Sequence, residues 1–296
     1  MKKKIVICIA IILAAALSVS ALLLGKKGPQ PTQEESTRDI GVTAAENVLL
    51  PLSEIIPDAQ KRSEIKLIAH RGLSSVAPEN TLLALREAGR AGFYGAEFDI
   101  QHTSDGEWVL MHNSSVDAMT DGTGEVSDLS LPELRRLKID SGNGYREYNE
   151  EDLFIPTLAE ALAVCREYSL VPFIEIKGKG VHDVSSIVEI INRSGLASTA
   201  VIISFNYDYL ENFHKNYPEF QLMYLVSTVN AKKLSQCRKI SCVLDYNAGK
   251  SENESIVARA AAKGIVTAAW TVDSAEVLMP AYELGCRYFT TNRIIP

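Results

Sequence analysis

Nine short apolar runs recur between residues 65 and 290, with amphipathic stretches between most of them. The runs are IKLIA (65–69), GAEFDIQ (95–101), WVLMH (108–112), VPFIEI (171–176), AVIIS (200–204), QLMYLV (221–226), SCVLD (241–245), IVTAAWT (265–271) and RYFT (287–290). Their β-branched and aromatic content predicts strands. Helical patterns cover 80–91, 157–168, 183–194, 207–216, 252–263 and 274–284. Capping residues open several of them: Asn80 before TLLALREA, Thr157 before LAEALAV, Ser274 before AEVLMPAY. Gly92, Gly195, Gly264 and Gly285 stand where helices should stop. Such βα alternation implies a parallel sheet, and this many units in one domain point to an α/β fold of the (β/α)8 TIM barrel type. An open doubly wound sheet is the alternative. It is disfavoured because no Gly-rich phosphate loop follows the first strand.

Nine strand candidates exceed the eight places of a barrel. Asp105-Gly106 between two of the runs is a strong signal for a two-residue hairpin. A turn centred on that pair sets Asp99 directly opposite His112 across an antiparallel ladder, a pairing that a slip of one residue would break. Residues 113–155 then form an insertion, with a turn at Thr120–Gly124 and a short helix near 132–138.

The N-terminus breaks the pattern. Between Lys4 and Lys26 the chain carries no charge, and Ile5–Leu24 is apolar except for Ser18 and Ser20. Those 20 residues match the length a helix needs to cross a hydrocarbon core of ~30 Å. The expectation is an N-terminal transmembrane helix at 1–27, with a cleaved signal peptide as alternative, because a signal's apolar region is usually shorter. The lysines that precede the segment keep the N-terminus in the cytoplasm. The remainder is then extracytoplasmic on a single-pass protein of the cell membrane, or secreted. Cys8 reads as an apolar residue of that segment. Residues 28–63 read as a linker, polar and Pro-bearing in the first half, while Leu49, Leu50, Leu52, Ile55 and Ile56 suit the second half to lie on the domain surface. Residues 64–296 read as one barrel domain.

Composition narrows the classes. With 46% hydrophobic and 23% charged residues the chain is not disordered, and 18 Gly with 11 Pro exclude a collagen-like or low-complexity architecture. A net charge of −7 argues against nucleic acid as a partner. No obligate protein partner is evident. Cys165, Cys237, Cys242 and Cys286 show no metal-binding spacing and are read as free.

A barrel's site lies at the carboxyl ends of its strands. Those ends supply His70-Arg71, Glu97 with Asp99, His112, Glu175 with Lys177, and Trp270. Residues i and i+2 of a strand share a face, so Glu97 points with Asp99 and Glu175 with Lys177. Taken singly, either histidine reads as a loop residue and either glutamate as a surface one. His102, His182 and His214 have no converging partners and read as surface or structural. Together, three carboxylates at one mouth repel one another unless a cation sits among them, and hard oxygen ligands select Ca2+ or Mg2+. Arg71 and Lys177 make an anion site suited to phosphate. Two histidines can serve as general base and general acid. The set points to cleavage of a phosphoester.

At these residues the sequence resembles the glycerophosphodiester phosphodiesterases. The resemblance rests on His70-Arg71-Gly72, Pro78-Glu79-Asn80-Thr81, Glu97-x-Asp99, His112, Glu175-x-Lys177 and Trp270-Thr271, in order along nearly all of the 233-residue domain. It implies a phosphodiesterase-type TIM barrel in which Glu97, Asp99 and Glu175 hold one divalent cation, Ca2+ or Mg2+. His70 and His112 are then the catalytic acid–base pair, and Arg71 and Lys177 contact phosphate. Trp270 either stacks on the glycerol or packs at the barrel end. The implied reaction is metal-dependent hydrolysis of a glycerophosphodiester to sn-glycerol 3-phosphate and an alcohol. Alternatives are a lysophospholipase D-like or glycerol-phosphate-polymer phosphodiesterase at the membrane, and a non-catalytic membrane-tethered binding protein. One departure stands out: family members often end the last strand with Thr-Asp, and here Asn292 follows Thr291.

Overall fold

The computed structural model describes residues 48–178 and 183–296. The apolar segment 5–24, and with it the anchor-or-signal reading, lies outside the described residues, as does His182. Among the described residues no helix is long and apolar enough to cross a membrane.

Eleven strands follow one another: β1 (Leu50–Pro51), β2 (Lys66–Ala69), β3 (Gly95–His102), β4 (Trp108–Leu110), β5 (Val171–Ile176), β6 (Val201–Ser204), β7 (Gln221–Val226), β8 (Val243–Asn247), β9 (Thr267–Trp270), β10 (Tyr288–Thr291) and β11 (Ile294–Ile295). Eight of them pair in parallel in the order β2-β10-β9-β8-β7-β6-β5-β3, and a β2–β3 pairing closes the ring. Closure leaves no open edge among those eight. Helices at Leu82–Ala91, Leu158–Tyr168, Ser185–Ser194, Tyr207–Asn216, Glu254–Ala261 and Ala275–Glu283 match the sequence pattern. The helix Ala231–Lys239 does not, because AKKLSQCRK buries only Cys237 and shows almost no apolar stripe. Its start is set locally, by Asn230 Oδ1 accepting from the Lys233 amide.

Each barrel strand is covered on both faces, so its apolar residues divide between two cores. Ala96, Phe98 and Ile100 of β3 face outward into the layer beneath the helices. Ile68, Phe173, Val201, Met223 and Ala268 face inward and plug the barrel. That plug makes the mouth a closed-ended pocket rather than a pore.

Two expectations are corrected. The β3–β4 hairpin pairs Ile100 with Leu110 and His102 with Trp108, one residue off the expected register. The turn holds three residues, Ser104-Asp105-Gly106, because Thr103 closes it: its amide donates to Glu107 O and its hydroxyl accepts from the Glu107 amide. Gly106 takes the left-handed conformation this turn needs (φ +93°). Asp99 therefore lies across from Met111, whose amide donates to Asp99 O. Secondly, residues 48–63 of the expected linker pack on the barrel. Leu50 pairs with Ile294, and Leu52 and Ile56 are buried in the main core. The insertion 113–155 has its own apolar cluster, with Val116, Val126, Leu134 and Ile155 packed on Ala84 and Val109. Its short helix is Leu131–Leu134.

The loop after β2 is tied closely to the first long helix. Gly72 has φ +75°, and a methyl group there would sit 2.6 Å from Ala84. Gly72→Ala is therefore expected to cost about 3 kcal/mol in denaturant unfolding, from backbone strain and overlap together.

Candidate active site

The carboxyl ends of β2, β3, β5 and their neighbours surround a cavity of about 200 Å3. His70, Arg71, Glu97, Glu175, Lys177 and Trp270 line it as the sequence pattern requires, and so does His112. His112 arrives by a different route from the one expected. The ladder ends at Leu110, and the chain leaves it to bring the ring to the cavity. His102 packs edge-on against Trp108, and neither it nor His214 lines this cavity. Cys165, Cys237, Cys242 and Cys286 are free and buried.

Alternation along β3 and β5 turns Glu97, Asp99 and Glu175 inward, and one oxygen from each lies within 4.8 Å of the others. All three are buried. Their surroundings differ. Glu97 Oε2 accepts from the Arg71 amide at 2.8 Å, whereas Oε1 has no hydrogen-bond partner among the described residues. Burial, with Asp99 and Glu175 beside it, holds the Glu97 carboxyl well above the usual carboxylate range. Burial and Asp99 push Glu175 up to about 7, against the pull of Lys177. Asp99 goes the other way: burial would raise it, but Lys177 and Arg71 outweigh that cost. Lys177 Nζ sits 3.0 Å from Asp99 Oδ1 and 2.7 Å from Glu175 Oε1. A buried carboxylate trio with one orphaned oxygen is a donor set that fits a hard divalent cation.

Residues 78–81 brace this cluster. Glu79 accepts from Arg71 Nη1 through both oxygens at 2.9 Å, which fixes the guanidinium beside Asp99. Asn80, expected as a helix cap, instead bridges to β3: its Nδ2 donates to Asp99 Oδ2 at 2.8 Å, and its Oδ1 accepts from the Asp99 amide at 2.9 Å. The cap is Thr81, whose hydroxyl accepts from the Ala84 amide. Both Arg71 and Asn80 have positive φ, +57° and +56°. Left-handed backbone in such residues is strained, and it concentrates here at the site.

Asn292 and Asp273 are functional residues that the spacing pattern did not assign. Asp273 Oδ2 accepts from Asn292 Nδ2 at 2.8 Å, and Oδ1 accepts from the Asn292 amide at 2.7 Å. A carboxylate accepts only, so the Asn292 amide nitrogen faces Asp273 and its Oδ1 faces His70 Nδ1 at 2.8 Å. His70 Nδ1 must then carry the proton. Nε2 keeps its lone pair, on the side of Glu97. Burial and the Arg71 cation hold His70 below its ordinary value, so the ring stays neutral. Burial also lowers His112, whose Nδ1 is 3.0 Å from Asn113 Oδ1. Trp270 donates from Nε1 to Asp245 O at 3.2 Å and meets Phe205 edge to face at 5.4 Å. The geometry sets a neutral imidazole, a second histidine, two cationic side chains and carboxylates of a trio that could hold a cation around one cavity.

Comparison with known proteins bears on this arrangement. The sequence model of the glycerophosphoryl diester phosphodiesterase family matches residues 70–295. Human glycerophosphodiester phosphodiesterase 1 is 43% identical over 129 residues, 44% of this chain and 39% of that protein. A glycerophosphodiester phosphodiesterase of Caldanaerobacter subterraneus is 32% identical over 161 residues, 53% of this chain and 64% of its own. The matches thus span about two fifths of the length of the mammalian curated relatives. Among solved structures, a phosphodiesterase from Oleispira antarctica in complex with the product sn-glycerol-3-phosphate has a TM-score of 0.69 at 27% identity, covering 79% of this chain and 95% of that one. A protein from Silicibacter pomeroyi, at 22% identity and a TM-score of 0.68, shares the fold.

Proposed function

The chain belongs to the glycerophosphoryl diester phosphodiesterase family, and from that premise we propose that it hydrolyses a glycerophosphodiester to sn-glycerol 3-phosphate and an alcohol. The observation that carries the reading is the cavity lined by the tautomer-fixed His70, His112, Glu97 and Glu175, with Asp99 buried beside those two carboxylates. Glu97, Asp99 and Glu175 would hold one divalent cation, Ca2+ or Mg2+. That ion supplies charge neutralisation at the phosphate.

The remaining steps belong to the chain's own side chains. Arg71 and Lys177 bind the phosphate oxygens and orient the diester, since both cations face the cavity. His70 Nε2 removes the proton of the nucleophile, which is either a water, giving sn-glycerol 3-phosphate directly, or the glycerol 2-hydroxyl, giving a cyclic phosphate that a water then opens to the same product. His112 protonates the leaving alcohol oxygen. Asn292 and Asp273 keep His70 in the tautomer that presents Nε2. Trp270 and Phe205 give the mouth an aromatic wall for the organic part of the substrate.

The test is release of sn-glycerol 3-phosphate from glycerophosphocholine by the full chain. Activity with a divalent cation and loss of it in EDTA are expected. Absence of turnover, or full turnover in EDTA, overturns the reading. The apolar segment 5–24 favours a second substrate class, lysophospholipid, because an extracytoplasmic domain anchored by that segment works beside the bilayer. Relative turnover of lysophosphatidylcholine and glycerophosphocholine separates the two. Replacing Asn292 by Leu is expected to lower kcat about 30-fold with KM within threefold of wild type, because the ring loses its tautomer and orientation while the phosphate contacts remain. Steady-state kinetics on glycerophosphocholine checks this.

A further inference from the structure

Asp245 on β8 is a cavity residue that the proposed mechanism leaves without a task. In the closed ring, β8 lies four strands from β3 in either direction. Asp245 therefore stands on the wall opposite Glu97 and Asp99. It is 3% exposed, and its Oδ1 is buried with no hydrogen-bond partner among the described residues. An unsatisfied carboxyl in such a place is costly, and structures pair such groups when they can. Its neighbours along the cavity are apolar: Ile203, Leu225, Phe205 and Trp270. Trp270 Nε1 holds the Asp245 backbone oxygen, which fixes where the side chain starts.

Resting on the activity proposed above, we infer that Asp245 is the residue that binds the glyceryl end of the substrate, exchanging hydrogen bonds with a hydroxyl group. The two walls of the cavity differ in kind. Arg71 and Lys177, to which the proposed function gives the phosphate, stand on one side. On the other, where no Lys or Arg lines the cavity, a carboxyl among apolar walls matches a small neutral group that both donates and accepts. A glycerol hydroxyl does both, and its CH groups suit Ile203 and Leu225. A quaternary ammonium has no N–H and would leave Oδ1 unpaired. Burial, with Glu175 nearby, pushes the Asp245 carboxyl up to about 8, so it keeps a proton to donate.

The experiment compares wild type, Asp245→Asn and Asp245→Leu on glycerophosphocholine and on methyl 4-nitrophenyl phosphate, a diester without glycerol. The readout is the ratio of the two kcat/KM values, with the Tm of each protein. Asp245→Leu is expected to lower the ratio about 100-fold, mainly through KM for glycerophosphocholine. Asp245→Asn, whose amide donates and accepts, is expected to stay within tenfold of wild type. The Tm of Asp245→Leu is expected to rise, because an unpartnered buried carboxyl has been removed. An unchanged ratio in Asp245→Leu with a lower Tm overturns the assignment and leaves a structural aspartate. Equal losses in Asn and Leu overturn it in favour of a charged group that holds a cationic headgroup. If wild type cleaves the aryl diester and not glycerophosphocholine, the proposed activity fails, and this assignment fails with it. If wild type cleaves both and the Leu ratio holds, only the assignment of Asp245 fails.

Discussion

Glu97→Gln is expected to lower kcat/KM on glycerophosphocholine at least 1,000-fold, roughly 4 kcal/mol of lost transition-state stabilisation. The substitution is close to isosteric, and a glutamine oxygen can still accept from the Arg71 amide, so the loop keeps its anchor. What disappears is one of three anionic oxygens, at the position whose second oxygen has no hydrogen-bond partner among the described residues. The same change should remove most of the rise in Tm that added Ca2+ or Mg2+ gives wild type. A variant that keeps both activity and the cation-dependent rise would show that Glu97 is no ligand.

The trio also makes cation-free stability depend on pH with a defined sign. The Glu175 carboxyl is raised from 4.5 to about 7 in the fold. Between those values the folded state keeps a proton that the unfolded chain has released. The contribution is therefore fully present below pH ~4.5 and is lost as pH rises to about 7, by on the order of 3 kcal/mol. Tm measured in EDTA across that window should fall, and Glu175→Gln should flatten the fall. A cation needs the ionised carboxylates, so its effect on Tm should be larger at pH 7.5 than at pH 5.

His70→Ala is expected to cost about 1,000-fold in kcat/KM, and the choice of substrate tells its role from that of His112. Where water is the nucleophile a base is needed whatever leaves, so His70→Ala should lose similarly on glycerophosphocholine and on methyl 4-nitrophenyl phosphate; where the glycerol 2-hydroxyl attacks, wild type does not turn over the aryl diester. An acid matters less when the leaving group is stable as an anion. His112→Ala should thus lose about 100-fold more on glycerophosphocholine than on the aryl diester. Equal losses for His112→Ala on both substrates would remove it from the leaving-group step. Since burial and Arg71 lower His70 from 6.5, the acidic limb of kcat/KM should fall below pH 6.5. An acidic limb above that value would contradict the neutral, Nδ1-protonated ring. The base limb reports the acid and rests on fewer contacts.

Much of this was legible in the chain. Apolar runs and the helical period gave eight barrel strands and six of the flanking helices, and seven of the eight residues read from the strand ends line the cavity, with Asp99 buried beside Glu97 and Glu175. The failures share a cause. Helix 231–239 carries too few apolar residues to announce itself and is held by its cap and by barrel closure. The hairpin slipped by one because Thr103 lengthened the turn, a contact the Asp-Gly signal does not contain. Asn80 reads as a cap because helix-start chemistry and a brace to the neighbouring strand use the same residue type. Asp245 drew no notice, since one acid at a strand end means little until the wall opposite is known.

By itself, then, the sequence determined the local periodicities, the segment boundaries to within a few residues, and which strand ends bear carboxylates, histidines and cations. Those properties depend on neighbours two to four positions away, and the chain carries them directly. Only the tertiary structure decided which tautomer His70 adopts, that Asn292 and Asp273 impose it from 222 and 203 positions away, and that Glu97 and Asp245 keep unpaired oxygens on opposite walls of one cavity. These properties depend on distance and burial between residues remote in sequence. They exist only once the eight strands close into a ring and bring these side chains together at one end of it.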